Sequence, residues 1–340
     1  MKMWEYVVRR ILFMIPILIG VLAFTFVISH IVPGDPVGVY LGKMADDPVM
    51  RARIEERYHL NEPPLDQFFY YIMGVFQGDL GESLIYRNRP VADIILQKLP
   101  ATLELVIAAS IFAIPAGIYL GILSATKRNT WIDALSRFVA LIGISVPTFF
   151  LALVLQLALV SNLHIFPLDG RFPTYLDPPA SVTGFYLIDS VITLDIRSFL
   201  FSAYYLILPA FALGFSIIGY ILRMMRSSML EVMSSDYIRS ARAKGVSEKH
   251  IIYRHALKNA LGPTLTISGL TIGGAIGYTV FVERIFWWPG IGEFAVSSIE
   301  ELDYAGILGF TIVITIAFLV ANLIVDILYA YLDPQVRLGG

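Results

Sequence analysis

The sequence predicts an all-α integral membrane protein with about six transmembrane helices, and three observations support this fold class. Apolar residues make up 57% of the 340 residues and charged residues only 15%, whereas soluble domains carry about 25% charged residues. The mean hydropathy is +0.71. Several apolar stretches also reach the roughly 20 residues that a helix needs to cross a bilayer core of about 30 Å. This composition is not that of a disordered or a nucleic-acid-binding protein.

Six stretches have this length or nearly so, in chain order 11–32, 100–125, 138–160, 199–222, 264–282 and 307–328. All six are continuously apolar. Membrane strands would instead alternate apolar and polar residues over segments of about ten residues. The pattern therefore favours helices over a barrel.

The first stretch follows Lys2, Arg9 and Arg10, so a cleaved signal peptide is the alternative to a membrane anchor. The apolar part of a signal peptide has 7–15 residues and ends at small residues. Here roughly 22 residues lead directly into Pro33 and Gly34, which favours an uncleaved anchor.

Lys and Arg near the ends of the stretches predict the orientation, because cytoplasmic loops are enriched in them. Most of the 25 basic residues lie on the side of the N-terminus, so both termini are predicted to be cytoplasmic in a multi-pass inner-membrane protein. Trp residues collect at membrane interfaces. All four fall near predicted interfaces, at Trp4, Trp131, Trp287 and Trp288.

The loops suggest two regions, an N-terminal anchor with a large external loop (1–98) and a core transmembrane domain (99–340). The external loop after the first span has a helical piece at 46–59 and a turn-rich stretch, GDLGES, at 78–83. A second external loop, 161–198, is rich in Pro, Asp and aromatic residues. We recognise no motif in that second loop.

The loop at about 223–261, between the fourth and fifth spans, is the long cytoplasmic segment. Its pattern predicts a short helix over 236–244, an αL turn at Gly245, an N-cap at Ser247 and a second helix over 248–260. Pro263 would then begin the fifth span. Its positive charge alone would fit contact with anionic lipid, but two capped helices around a sharp turn favour a docking element.

This loop resembles the coupling loop of permease subunits of ABC importers, in the dipeptide/oligopeptide branch. The resemblance rests on YIRSARAKG at 237–245 and RHALKNA at 254–260; Arg239 and Ser240 depart from the general E-A-A-x-x-x-G signature. Supporting stretches lie at 9–11, 33–36, 78–83, 99–104 and 282–292. The resemblance covers essentially the whole chain.

The resemblance implies a second, related permease, two cytoplasmic ATPases, an external substrate-binding protein and the lipid bilayer as partners, and no nucleic acid. The implied ATPase-coupling residues are Tyr237, Arg239, Ala241, Arg242, Ala243, Lys244, Gly245, Ser247, Arg254, His255 and Asn259. The implied cargo is di- or oligopeptides, with nickel, oligosaccharides or other small solutes as alternatives.

The sequence has no G-x-x-x-x-G-K-[ST] phosphate loop. We therefore predict a transport subunit without its own ATPase site and without catalytic residues. ATP and Mg would be used by the partner ATPases, and no cofactor would be bound by this chain. The five His residues show no metal-ligand spacing, so no metal site is predicted. An ion-coupled secondary transporter is the alternative class, but it would need more ionisable residues within the spans.

A few residues within or beside the spans have two interpretations each. Gly269, Gly273 and Gly277 lie on one helical face and serve either packing inside the subunit or a partner or path surface. Glu104 is either solvated at the interface or faces the path or a partner loop. Glu283 and Arg284 either snorkel or contact a partner. Asn322 and Asp326 share a face of the last span, where a structural role is favoured over a proton relay.

Overall fold

The computed structural model describes residues 3–31, 37, 41, 47–57, 59–83, 85–86 and 89–332. Its first part contains helices α1 (Met3–Ile31), α2 (Pro48–Arg57) and α3 (Pro64–Phe76). A short hairpin of β1 (Glu82–Ser83) and β2 (Arg89–Pro90) follows, with Glu82 paired to Pro90 in antiparallel register. The predicted helical piece at 46–59 and the turn at 78–83 are thus present, whereas the small hairpin was not predicted.

The remaining chain is helical apart from its connecting segments. It forms α4 (Val91–Thr126), α5 (Trp131–Ser145), α6 (Thr148–Asn162), α7 (Tyr186–Ile192), α8 (Ile196–Met233), α9 (Asp236–Ala243), α10 (Glu248–Phe286), α11 (Ile291–Glu300) and α12 (Tyr304–Leu332). The predicted all-α membrane fold is therefore confirmed.

Five of these helices are long and apolar enough to cross a membrane, and a sixth span results if the bent pair α5 and α6 counts as one. The two members of this pair meet at 106°. Pro147 explains the break, because a proline disfavours helical geometry in the preceding residue and Val146 is extended at φ −84°, ψ 121°. The predicted third span, 138–160, is therefore not one straight helix.

The span helices are longer than the predicted apolar stretches. Helix α4 begins at Val91 rather than at Pro100, and α8 ends at Met233 rather than near residue 222. At 1.5 Å per residue the 36 residues of α4 extend about 54 Å, well beyond a hydrocarbon core of about 30 Å. Hydropathy finds only the apolar part of such a helix. The division into 1–98 and 99–340 stays a prediction, and its boundary falls inside α4.

The core of the bundle is α8, which packs against α4 and α5. Glycines permit the closest approach where α5 crosses α8. A Cβ at Gly143 would lie 2.8 Å from the carbonyl oxygen of Phe215, and one at Gly219 would lie 3.0 Å from that of Ala140. A larger side chain at either position would force the two backbones apart, so these glycines set the distance between the helices.

The bundle has two ends, which we name by their residues. The amino-terminal face holds the start of α1, the ends of α4 and α8, the helix α9 and the start of α10, and a shared apolar cluster that includes Ile122, Met225 and Ile251 joins the last four of these. The far face holds the starts of α4 and α12 together with α11, which share the cluster of Val91, Ile291 and Phe294.

One predicted interfacial tryptophan is placed differently. Trp131 and Trp287 are 74% and 61% exposed, as an interfacial position requires. Trp288 is fully buried, and its indole N–H donates to the carbonyl of Ala101 at 2.8 Å. Trp288 therefore fastens the end of α10 to α4 instead of facing lipid. The side chain of Trp4 lies outside the described residues.

Candidate functional site

The short helix predicted over 236–244 is present as α9 on the amino-terminal face, and one side chain attaches it to the bundle. Ile238 is fully buried among Met225, Met229 and Ile251. These partners belong to the end of α8 and the start of α10. Full burial of an aliphatic side chain stabilises by roughly 1.5–3 kcal/mol, so α9 is held firmly on the ends of two span helices.

Gly245 ends α9 with the predicted αL turn. Its φ is +78°, and its N–H donates to the carbonyl of Arg242 at 2.9 Å while the N–H of Val246 donates to that of Ala241 at 3.2 Å. These two bonds are the Schellman pattern, and the apolar contact that usually accompanies it involves residues equivalent to Ala241 and Val246. Both of these side chains pack on the same cluster as Ile238. The turn therefore has one defined geometry.

The chain after the turn differs from the prediction. Ser247 occupies the N-cap position, but its side chain makes no capping bond. The helix that begins at Glu248 does not stop at residue 260; it continues through a π-helical stretch (Ile251–Ala256) and through Pro263 as far as Phe286. The second short helix and the fifth span are therefore one rod. Pro263 lies inside this helix, where its missing N–H leaves the carbonyl of Asn259 without its helical donor but does not end the helix.

An ion pair crosses the turn. The Nε of Arg242 lies 2.7 Å from the Oε1 of Glu248. Both side chains are substantially exposed, so the pair contributes little to stability. The hydrogen bond from Arg242 to Glu248 raises the pKa of Arg242 above its ordinary value, and the guanidinium stays charged.

Most of the predicted coupling residues point to solvent. Arg239, Ala243, Lys244 and Arg254 are exposed. The amide of Asn259 donates to the hydroxyl of Tyr237 at 2.7 Å, which ties α9 to α10. The half-buried ring of His255 lies 5.4 Å from the ring of His250. The amino-terminal face thus presents a basic helix and turn on a fixed base.

A buried ion pair beside this base was missed by the sequence reasoning. Asp133, at 1% exposure, accepts from the Nε of Arg226 at 2.8 Å and from the hydroxyl of Ser124 at 2.7 Å. It also accepts from the N–H of Asn129 at 3.1 Å. These contacts join the ends of α4, α5 and α8. The sequence signal that could have predicted this pair is Asp133 itself, because a carboxylate beside a span normally has a partner.

Glu104 is neither solvated nor turned to a partner loop or path. Its Oε2 lies 2.5 Å from an Nη of Arg171, and its Oε1 accepts from the N–H of Leu187 at 2.9 Å. The guanidinium of Arg171 also lies 3.8 Å from the ring centre of Tyr186. Glu104 therefore attaches the segment between α6 and α8 to α4.

Glu283 is also fully buried, so neither interpretation of it was right. Its carboxylate accepts from the hydroxyl of Thr102 at 2.6 Å and from the N–H groups of Gly292 and Glu293 at 2.7 and 3.1 Å. A Cβ at Gly290 would lie 2.4 Å from this carboxylate. The neighbouring Arg284 bonds to Glu300 at 3.2 Å. The 282–292 stretch thus locks α11 onto α10 and α4.

The predicted small-residue face lies partly inside the subunit. Gly269 and Gly273 are buried, and a Cβ at Gly273 would lie 3.3 Å from the ring of Phe318 on α12. Gly277 faces Ile314 of the same helix. Asn322 lies near these residues, and the side chain of Asp326 lies outside the described residues.

This architecture defines a multi-pass helical membrane protein with an exposed helix–turn element at one end. The chain belongs to the family of binding-protein-dependent transport system inner membrane components, whose model matches residues 117–338. The corresponding N-terminal model matches residues 3–106.

Full-length relatives agree with this membership. A dipeptide transport system permease protein, DppB, of Alkalihalophilus pseudofirmus is 45% identical over 98% of this chain and 100% of its own. A probable D,D-dipeptide transport system permease protein, DdpB, of Escherichia coli is 41% identical over 100% and 99%. An oligopeptide transport system permease protein, AppB, of Bacillus subtilis is 38% identical over 98% and 100%.

Proposed function

We propose that this chain is a permease subunit of an ATP-driven importer for di- or oligopeptides, and that α9 with the Gly245 turn docks on an ATPase. The observation that carries the proposal is the attachment of an exposed basic helix to two span helices through the buried Ile238. The peptide cargo is supported by relatives whose names specify dipeptide or oligopeptide transport.

The proposed assembly contains a second, related permease, two ATPases and an external binding protein that delivers the peptide. The amino-terminal face would be cytoplasmic, together with both chain ends, because Lys and Arg concentrate there. The basic side chains of Arg239, Lys244 and Arg254 would then meet an acidic surface of the ATPase, since charge complementarity guides such docking.

The geometry supplies a route for motion. When the ATPases close on ATP, a docked α9 would move with them, and the ends of α8 and α10 would follow because Ile238 is packed between them. Rigid-body movement of spans around a central path is the usual basis of alternating access. This chain would contribute the path and the helix α9 that transmits the motion, whereas the ATPases would hydrolyse ATP.

We infer that the chain has no ATPase site, binds no cofactor and leaves ATP and Mg to the partner ATPases. The inference rests on the sequence, which contains no Walker-type phosphate loop. Nickel or oligosaccharide transport by the same class of importer stays an alternative to peptides.

The docking assignment can be tested by site-specific crosslinking, because the natural chain contains no cysteine. Lys244→Cys places a single thiol on the exposed turn, and Leu157→Cys places a control thiol on the exposed surface of α6. After crosslinking in native membranes and purification in mild detergent, mass spectrometry should identify an ATPase joined to position 244 only. Recovery of the Lys244→Cys variant without a crosslinked ATPase, or equal adducts at both positions, would overturn the docking assignment.

The cargo requires a separate measurement. Uptake of a labelled dipeptide by cells that carry the chain and its partners should be lost when the chain is deleted, and should be competed by unlabelled tripeptides. Unchanged peptide uptake together with lost uptake of nickel or an oligosaccharide would keep the importer class and overturn the peptide assignment.

A further inference from the structure

An open groove of about 680 Å³ lies between α1, α10 and α12. This groove has no role in the docking face or in the far-face contacts described above. Its walls are mostly apolar and include Leu270, Gly273, Ile314 and Phe318. A volume of this size is within the range of ligand pockets, about 300–1,000 Å³.

The groove lies beside the amino-terminal half of α1. In the far half of α1, Leu22 and Phe26 are buried, at 1% and 7% exposure. In the near half, Phe13 and Ile17 are 55% and 49% exposed although they line the groove. The wedge between the helices therefore opens toward one membrane surface only.

The depth of the groove matches one leaflet. On α1 its lining runs from Arg10 to Val21, which is about 16 Å at 1.5 Å per residue. Half of a hydrocarbon core of about 30 Å is about 15 Å. A spanning helix of another subunit would need a groove along the whole span, so the length favours an occupant confined to one leaflet.

Arg10 and Asn322 are polar groups at the amino-terminal-face end of the groove, where its lining begins on α1 and ends on α12. The Oδ1 of Asn322 is buried and has no hydrogen-bond partner among the described residues. The guanidinium of Arg10 has five donors, so it can bind a phosphate oxygen in addition to any contact within the chain.

We propose that this groove binds one anionic phospholipid of the leaflet at the amino-terminal face. Its phosphate contacts Arg10, its polar headgroup satisfies the amide of Asn322, and one acyl chain lies along Gly273, Gly274 and Phe318. The site is independent of the peptide cargo and of the docking turn.

The apolar part of the site can be tested with a pair of glycines on α10. Gly274 lines the groove, and a Cβ there meets only the ring edge of Tyr278 at 3.8 Å; Gly262 lies outside the groove with nothing within 4 Å of its Cβ. Native mass spectrometry of the detergent-purified full chain with added palmitoyl-oleoyl phosphatidylglycerol should show one retained lipid in the natural protein and in Gly262→Leu, and none in Gly274→Leu. Equal retention in both variants would overturn the proposal.

The charged part of the site can be tested with adjacent arginines. Arg10→Gln should weaken retention of phosphatidylglycerol at least tenfold, whereas Arg9→Gln should not, because Arg9 does not line the groove and instead lies over the ring of Phe13. The natural protein should retain palmitoyl-oleoyl phosphatidylcholine no better than Arg10→Gln retains phosphatidylglycerol. Equal retention of the two lipids by the natural protein would overturn the assignment of an anionic headgroup.

A photoreactive side chain distinguishes a lipid from a protein helix in the groove. Benzoylphenylalanine at position 274 should form lipid adducts when irradiated in native membranes. An adduct with another polypeptide as the main product would overturn the lipid assignment and identify the groove as a subunit interface.

Discussion

Arg226 and Asp133 join the fourth span helix, α8, to the start of α5 immediately beside the residues that hold α9. The Nε of Arg226 lies 2.8 Å from one carboxylate oxygen, and an Nη lies 3.1 Å from the other. Met225, the residue before Arg226, belongs to the cluster that holds Ile238. The ion pair therefore stabilises the helix ends against which α9 packs.

Arg226→Met should destabilise the protein strongly. Removing one partner of a buried pair costs about 3–5 kcal/mol. The partial exposure of Arg226, 21%, and the second guanidinium on Asp133, that of Arg137 at 3.6 Å, place the effect at the low end. The measurement is the melting temperature of the purified chain in detergent. Arg223→Met, at an exposed position one turn earlier, is the control. The double variant Asp133→Leu/Arg226→Met should recover much of the loss; equal melting of the two single variants would contradict the prediction.

Gly245→Val should abolish transport without preventing membrane insertion. The φ of +78° costs an L-residue about 1–2 kcal/mol, and a β-branched side chain more, so the turn would change shape. Peptide uptake should fall more than tenfold at an equal amount of protein in the membrane.

Two further variants control for side-chain size and backbone strain at the turn. Gly262→Val adds the same side chain at an open helical position and should keep uptake. Gly245→Asn should keep most of it, because Asn tolerates the αL conformation. Full uptake by Gly245→Val would remove the turn from the mechanism.

Gly292→Ala should weaken the packing of α11 against α10 on the far face. A Cβ there would lie 2.6 Å from the Cα of Val280 and 2.9 Å from the Oε2 of Glu283. Because one of these atoms is backbone, relief requires α11 to shift, at a cost of about 1–3 kcal/mol or more. The melting temperature should fall for Gly292→Ala and stay unchanged for Gly20→Ala, whose Cβ would meet nothing within 4 Å. An unchanged value for both would show that α11 is not locked by this contact.

Arg171→Lys should release the segment 163–185 from α4. Lysine cannot reproduce the two contacts with Glu104 or the stacking on Tyr186, and hydrogen bonds to charged groups contribute about 1.5–3 kcal/mol. Limited proteolysis of the purified chain should cut within 163–185 faster in this variant. The exposed Arg197 provides the matched substitution, Arg197→Lys, which should leave the cleavage rate unchanged. The same rate in both variants would contradict the anchoring role of Arg171.

Local patterns predicted the membrane class and the turn at Gly245. Apolar length identifies a span, and a glycine after a short amphipathic helix identifies an αL end. The same patterns did not show where α4, α8 and α10 end, because polar residues continue a helix beyond the hydrocarbon. Nor did they show that α5 and α6 meet at 106°, since hydropathy is unchanged across Pro147.

The buried charges could not be placed from one sequence. Glu104 and Arg171 are 67 residues apart, and Asp133 and Arg226 are 93 apart. Each residue alone resembles an interfacial group at the end of a span. Only the packing of the helices shows that these side chains form pairs within the chain rather than contacts with partners.

The unbroken course of α10 from Glu248 to Phe286 gives the two faces of the protein a fixed rotational phase. Each residue turns a helix by about 100°, so one residue gained or lost within 264–282 would rotate the Gly245 turn by that angle relative to Glu283. The π-helical stretch at Ile251–Ala256 differs, because its bonds span one residue more than those of an α-helix. A single deletion there can be absorbed by a return to α-helical bonding, which makes this stretch the part of the rod where length can change while phase is kept.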